Sequence, residues 1–134
     1  MPMQRNQIVT EHGEQRAVFD WVKLMETRYP LLQTLHAIPN GAAFARRGNG
    51  GFSLQAMKMK EEGLRPGMPD LALPVPRPPY ASLFIEMKVQ EGRVRKGQVE
   101  MHGLLRQAGN RVEVCWSADE AIETIKKYLG LEDG

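Results

Sequence analysis

Residues 83–88 read LFIEMK, and this stretch is the strongest β-strand pattern in the chain. The predicted strand covers residues 80–89. Because successive side chains of a strand point to opposite faces, the odd-numbered residues share one face and Phe84, Glu86 and Lys88 share the other. Glu86 and Lys88 then lie side by side with Cα atoms about 7 Å apart. The strand therefore carries a carboxylate and an ammonium group together among apolar residues.

A second acidic residue, Asp70, opens the preceding predicted strand, residues 70–75. If the two strands pair as a hairpin-like unit, Asp70 lies beside Glu86 at one end of the sheet. Two carboxylates that close repel each other, and a divalent cation would compensate them. Carboxylate oxygens suit Mg²⁺ or Mn²⁺. Lys88, on the same face, could then help to activate a metal-bound water or stabilise charge that builds on phosphorus.

The specificity of this pattern comes from the combination. A Glu-x-Lys triplet alone occurs on many solvated strands, and Pro-Asp at the start of a strand is also common. Here Glu86 and Lys88 follow Asp70 by about 16 residues on adjacent, apolar strands. The pair of strands therefore predicts a catalytic site.

The patterns along the rest of the chain predict six more elements. They are helices over residues 11–27, 53–62, 96–108 and from 118 onward, and strands over residues 31–38 and 111–116. Thr10 is the predicted N-cap of the first helix, and Ser117 with Glu120 forms a capping box at the last one. The order α-β-(α)-β-β-α-β-α predicts an α/β fold, with a mixed β-sheet flanked by helices.

The third of these helices, residues 96–108, follows the central strand. Its predicted inward stripe consists of Gln98, Met101, Leu105 and Ala108.

Length and composition bound the class of protein. The 134 residues fit one domain, residues 1–134, and the single cysteine, Cys115, allows no internal disulfide. A reducing compartment, the cytoplasm, is therefore expected. No apolar run approaches the roughly 20 residues that would cross a bilayer, so we expect no membrane association.

Charge alone identifies no partner, because the net charge is only +2. The basic residues are nevertheless clustered in two regions, and both clusters could simply be solvated loops. If the predicted cation site acts on DNA, they are candidates for contacts with its phosphates, which would orient a duplex without reading its sequence. The candidates are Arg46, Arg47, Lys58, Lys60, Arg93, Arg95 and Lys96.

Several of these motifs resemble the VRR-NUC domain, the virus-type replication-repair nuclease branch of the PD-(D/E)xK superfamily. They are GMPDL at residues 67–71, LFIEMK at 83–88, Gly92-Arg93 and Gln98. The resemblance extends to HAIPN at residues 36–40 and LLRQAG at 104–109, and it covers nearly the whole chain. It implies a restriction-endonuclease-like core, and the length is similar to that of short phage and bacterial members.

The resemblance also implies roles for individual residues. Asp70 and Glu86 would be metal ligands, together with the backbone carbonyl of Met87. Lys88 would be the catalytic lysine, and Gln98 matches the glutamine that the family places near its active site.

The first helix supplies one further implied ligand. Glu14 matches the family's acidic residue there, which would complete the metal shell. Glu11, one turn earlier, is the alternative. Both could also be ordinary first-turn acids, which are favourable at a helix N-terminus.

The sequence thus predicts a Mg²⁺- or Mn²⁺-dependent DNA endonuclease. The resemblance to short family members implies branched DNA, with four-way (Holliday) junctions as the leading substrate. Because a symmetric junction cut needs two active sites, a C₂ homodimer is expected. For a phage protein, the location would be the cytoplasm of the bacterial host.

Two alternative functions stay open. One is a flap, nick or single-strand nuclease on the same fold. The other is a DNA-binding module that does not cut, although such a module would have no need for two close carboxylates beside Lys88.

Overall fold

The central sheet of this computed structural model, which describes residues 8–39 and 54–132, has four strands. In spatial order they are β1 (His36–Ala37), β2 (Leu71–Leu73), β3 (Leu83–Met87) and β4 (Arg111–Cys115). The β1–β2 and β2–β3 pairs are antiparallel, and the β3–β4 pair is parallel. The LFIEMK stretch therefore supplies an interior strand with a hydrogen-bonded neighbour on each side.

Helices flank this sheet. They are α1 (Glu11–Met25), α2 (Leu54–Glu61), α3 (Lys96–Gln107) and α4 (Ala118–Leu129), with a 3₁₀ helix at Pro30–Thr34. The predicted α/β class, with a mixed sheet flanked by helices, is confirmed. Within residues 8–39 and 54–132, no helix has both the length and the apolarity that a membrane span requires.

Side-chain caps begin two of the helices at the predicted residues Thr10 and Ser117, although the Glu120 side chain accepts a hydrogen bond from the backbone N–H of Trp116 and not from that of Ser117 as in a full capping box. The hydroxyl of Thr10 accepts a hydrogen bond from the backbone N–H of Gly13 at 2.9 Å, and so caps α1. The hydroxyl of Ser117 accepts one from the backbone N–H of Glu120 at 3.1 Å, and so caps α4. Each cap satisfies a backbone donor that has no partner inside its helix.

The hydrophobic core lies between the sheet and the pair α1 and α4. Leu83, Ile85 and Met87 all belong to it, which confirms that the odd-numbered residues of β3 face the core. At its edge the Tyr128 hydroxyl donates a hydrogen bond to the carbonyl of Val75 at 2.7 Å. Helix α3 lies on the other face of β3, which carries Glu86 and Lys88.

The predicted strand over residues 31–38 is wrong for most of its length. Residues 30–34 form the 3₁₀ helix, and His36 and Ala37 pair with β2, followed by a hydrogen bond from the Ile38 N–H to the carbonyl of Asp70 at 2.8 Å. Pro30 presets a helical φ at the first position of this turn, and the Thr34 hydroxyl donates back to the carbonyl of Leu31 at 2.7 Å. A local turn thus overrides the apolar pattern.

The inward stripe predicted for α3 is also partly wrong. Ala108 lies beyond the helix and is exposed, whereas Met101 and Leu105 are half-buried. Across the whole of α3, which the structure describes in full, the buried residue is His102. The helix therefore buries His102, which lies outside the predicted stripe.

Candidate active site

Asp70 and Glu86 meet at the end of the β2–β3 pair. Leu71 lies opposite Ile85 in the antiparallel register, so Asp70, one residue before, comes beside Glu86, one residue after. The backbone N–H of Met87 donates a hydrogen bond to Oδ2 of Asp70 at 2.7 Å. This bond fixes the Asp70 carboxylate against β3.

Glu86 is buried, with only 2% of its surface exposed, and each of its oxygens has a partner on α3. The Gln98 side-chain amide donates to Oε2 at 3.1 Å. The Nε2 atom of His102 lies 3.1 Å from Oε1. The carboxylate is therefore held in one orientation by two side chains of a single helix.

The surroundings of Glu86 disfavour its charge. Burial raises the pKa of Glu86 to about 9, and the neighbouring Asp70 adds to the rise through its charge and a shared hydrogen bond. The Lys88 ammonium opposes the rise, and Glu11 adds a smaller repulsion. Without a cation, Glu86 is therefore protonated at neutral pH, and a cation bound beside it would release the proton.

Burial also lowers the pKa of His102, and the positive charges of Arg106 and Lys88 lower it further. At neutral pH, without a cation, both Glu86 and His102 are therefore neutral. Their contact, although it has the geometry of an ion pair, is a hydrogen bond between uncharged groups.

Lys88 lies directly after β3 and is 6% exposed. Its backbone N–H donates to the carbonyl of Cys115 at 2.9 Å, which extends the β3–β4 pairing by one residue. Its ammonium is close enough to lower the pKa of both Glu86 and His102. The structure thus brings together three predicted site residues, Asp70, Glu86 and Lys88.

Gln98 joins this group from the first turn of α3. Its side-chain carbonyl accepts a hydrogen bond from the backbone N–H of Arg95 at 2.9 Å, at the start of the helix. Its amide then points the other way, at Glu86. Gln98 therefore lies beside the acidic pair, as predicted. Its hydrogen bond to the Arg95 N–H at the start of the helix fixes the direction of its amide.

Glu14 takes a different place from the other predicted site residues. One of its carboxylate oxygens accepts a hydrogen bond from the backbone N–H of Ala118, the first residue of α4, at 3.0 Å. It therefore caps a neighbouring helix, where a negative charge is favourable. Glu11, and not Glu14, is the first-helix acid whose charge acts on Glu86.

The predicted phosphate contacts are exposed where the structure describes them. Lys58 and Lys60 lie in the last turn of α2, and Arg93, Arg95 and Lys96 surround the start of α3 next to Gln98. Arg46 and Arg47 lie outside the described residues.

His102 is the site residue that sequence reasoning missed. It has no metal-ligand spacing with another histidine or with the cysteine, so it carried no signal of its own. The available signal was its position four residues after Gln98, because residues i and i+4 share a helix face. Any side chain at position 102 had to follow Gln98 towards Glu86.

The donor set of this site suits a hard divalent cation. Among residues 8–39 and 54–132, no group of three or more His, Cys, Asp or Glu side chains is arranged to hold a metal ion. Asp70 and Glu86 nevertheless supply two adjacent carboxylates. Mg²⁺ is commonly bound by one or two carboxylates, with water and substrate phosphate completing its shell.

Comparison with known proteins identifies the family. The model of the VRR-NUC domain matches residues 6–119. A solved structure described as a VRR_NUC domain protein superimposes with a TM-score of 0.72 at 27% sequence identity, over 95% of this chain and 93% of the other. The comparison with curated proteins finds no match. The fold agrees with that of this structural neighbour and is restriction-endonuclease-like.

Proposed function

This chain belongs to the VRR-NUC family, nucleases of the PD-(D/E)xK superfamily, and we propose that it is a Mg²⁺- or Mn²⁺-dependent endonuclease that hydrolyses DNA phosphodiesters. The observation that carries the proposal is the cluster of Asp70, Glu86 and Lys88, in which Glu86 and Lys88 are buried, Asp70 is half-buried, and Met87 N–H holds one oxygen of Asp70. Two carboxylates and an ammonium group in one place are costly to bury unless they bind something.

Asp70 and Glu86 would hold the cation, with the backbone carbonyl of Met87 as a third oxygen ligand. The high pKa of Glu86 supports this assignment, because it marks a carboxylate whose negative charge lacks compensation. When bound, the cation lowers the pKa of a coordinated water and polarises a phosphoryl oxygen.

Glu11 is the first-helix acid that we propose as the additional carboxylate near the cation. Its charge reaches Glu86, and it is exposed at the start of α1. Glu14, the residue that the family pattern favours, already accepts a hydrogen bond from Ala118. Substitution of each residue distinguishes Glu11 from Glu14 as the additional carboxylate.

Lys88 supplies a fixed positive charge on the face of the sheet that carries Glu86. A buried ammonium group there can orient the attacking water and stabilise the negative charge that builds on the phosphoryl oxygens. Because the surrounding strands keep the charge away from bulk water, its effect on the transition state is larger than at a solvated surface.

The substrate we propose is branched DNA, with four-way junctions first. Exposed basic residues at the start of α3, namely Arg93, Arg95 and Lys96, lie next to the site residue Gln98. Such residues contact phosphates and so recognise shape more than sequence. A homodimer would supply the two active sites that a symmetric junction cut requires.

A panel of end-labelled DNA substrates tests this proposal. Four-way junctions, flaps, nicked duplexes, single strands and plain duplexes are incubated with Mg²⁺, Mn²⁺ or EDTA. Wild-type protein is compared with the Asp70→Asn and Lys88→Met variants, and the mass of the protein is measured by light scattering.

The outcomes separate the alternatives. Paired, symmetric junction cuts by a dimer, abolished by EDTA and in both variants, are expected. Metal-dependent cutting confined to flaps, nicks or single strands would keep the nuclease and exclude junction resolution. Binding of DNA without any cutting would favour the non-catalytic module.

A further inference from the structure

His102 occupies an unusual place for a histidine. It is 3% exposed, at the centre of a helix whose other side chains are half-buried or exposed. Burying a polar ring costs free energy unless it forms a hydrogen bond. Its Nε2 atom meets that requirement with Oε1 of Glu86, at 3.1 Å.

The partner of this hydrogen bond distinguishes His102 from an ordinary buried histidine. A structural histidine can satisfy its ring on any backbone carbonyl, and β4 offers such groups beside α3: the Arg106 guanidinium, one turn later, donates to the carbonyl of Val112. His102 instead faces the carboxylate of the candidate metal ligand.

His102 and Gln98 act on opposite oxygens of the same carboxylate. Gln98 donates to Oε2 and His102 faces Oε1, each at 3.1 Å. Because they are four residues apart, they project from successive turns of α3. The Arg95 N–H holds Gln98 in turn. Two contacts from one rigid helix fix both the position and the plane of the carboxyl group.

We propose that His102 is a positioning residue, which donates its Nε2–H to Glu86 and, with Gln98, orients that carboxylate to bind a divalent cation. The inference rests on the proposed metal-dependent function. Hydrogen bonds to the ligands of a metal fix their orientation, and losing one lowers metal affinity by about 10- to 100-fold.

Three substitutions test the role of the Nε2 donor. In His102→Gln, the side-chain amide can place a donor near the position of Nε2. In His102→Asn, the amide is too short to reach Oε1, and in His102→Leu there is no donor. The control is Leu105→Ala, which truncates a half-buried side chain of the same helix and removes neither of the groups on α3 that hydrogen-bond to Glu86.

Two measurements are made on each DNA-free protein: the Kd for Mn²⁺ by electron paramagnetic resonance, and the thermal unfolding midpoint without metal. We expect His102→Asn and His102→Leu to weaken Mn²⁺ binding by about 10- to 100-fold. His102→Gln should recover most of the affinity. Leu105→Ala should lower the unfolding midpoint and leave the Kd unchanged.

Two results would overturn the proposed role of His102 while leaving the proposed metal site in place. In the first, wild type binds Mn²⁺ and the Asn and Leu variants bind it equally well. In the second, His102→Gln loses as much Mn²⁺ affinity as His102→Leu, and the loss of affinity in each variant parallels the fall in its unfolding midpoint. If wild type itself binds no Mn²⁺, the proposed metal site fails, and the inference fails with it.

Discussion

The backbone N–H of Met87 donates a 2.7 Å hydrogen bond to Oδ2 of Asp70. This bond crosses from β3 to the residue that precedes β2, and it places one carboxylate of the candidate site within the framework of the sheet. Asp70 therefore has two separable roles: it holds the end of the strand pair together, and it contributes negative charge to the site.

Two substitutions at Asp70 should separate these roles. Asp70→Asn keeps an oxygen acceptor for Met87 N–H and removes the charge, whereas Asp70→Ala removes both. We expect both variants to lose cleavage, and only Asp70→Ala to lose about 1–3 kcal/mol of unfolding free energy, the cost of an unsatisfied buried donor. Urea denaturation of the metal-free proteins measures this. Equal stability of the two variants would show that the hydrogen bond contributes nothing.

The pH dependence of stability should reveal the proton on Glu86. In the folded, metal-free protein the pKa of Glu86 is raised from 4.5 to about 9. A raised pKa in the folded state contributes stability below the unfolded value of about 4.5, and this stability is lost as the pH rises towards 9. Glu86→Gln mimics the protonated group and removes the titration.

The stability difference between Glu86→Gln and wild type is the quantity to measure, because other titrating groups cancel in it. Denaturant unfolding of both metal-free proteins at several pH values provides it. The unfolding free energy of the variant relative to that of wild type should rise steadily between pH 5 and pH 9. A difference that does not change with pH would contradict the assigned ionisation.

Lys88 should affect chemistry more than metal binding. Lys88→Met keeps an apolar stem and removes the charge, so the electrostatic stabilisation of the transition state is lost. A fall of about 10²- to 10³-fold in the single-turnover cleavage rate is expected. Mn²⁺ affinity should not weaken, because the lost ammonium repels the cation. A variant that cleaves normally would exclude a catalytic role for this lysine.

Glu11 and Glu14 should respond differently to loss of their carboxylates. Glu14→Ala leaves Ala118 N–H without its acceptor, so the protein should lose about 1–3 kcal/mol of unfolding free energy, the cost of an unsatisfied buried donor. Its Mn²⁺ affinity should stay the same. Glu11→Gln should weaken Mn²⁺ binding without this loss of stability. Isothermal titration calorimetry and urea unfolding decide the matter, and the reverse pattern would restore Glu14 as the ligand.

The sequence predicts the chemical centre of this protein better than its periphery. The alternation of residues 83–88 and the acid at the start of the preceding strand are local patterns, and they were sufficient to bring Asp70 and Glu86 together. The 3₁₀ turn at Pro30 was missed because an apolar run of that length is compatible with either a strand or a buried turn.

Long-range contacts account for the remaining differences. The Glu14 carboxylate meets Ala118, which is 104 residues away in the chain, and no helical periodicity reveals such a partner. His102 carried no signal in the sequence, because its partner, Glu86, lies on a strand and the separation of the two residues matches no metal-ligand motif. In both cases, the role of the side chain follows from how the elements pack.

The most direct test of the central claim is cleavage that depends on both the cation and the two carboxylates. Wild-type protein, the Asp70→Asn variant and the Glu86→Gln variant are stripped of metal. Each is mixed separately, in excess, with a labelled four-way junction. Mg²⁺ is then added and single-turnover cleavage is followed. The account predicts cutting by wild type only after Mg²⁺ is added, and none by either variant although both remain folded. Cutting by stripped wild type in EDTA, or by the folded variants at the wild-type rate, would contradict it.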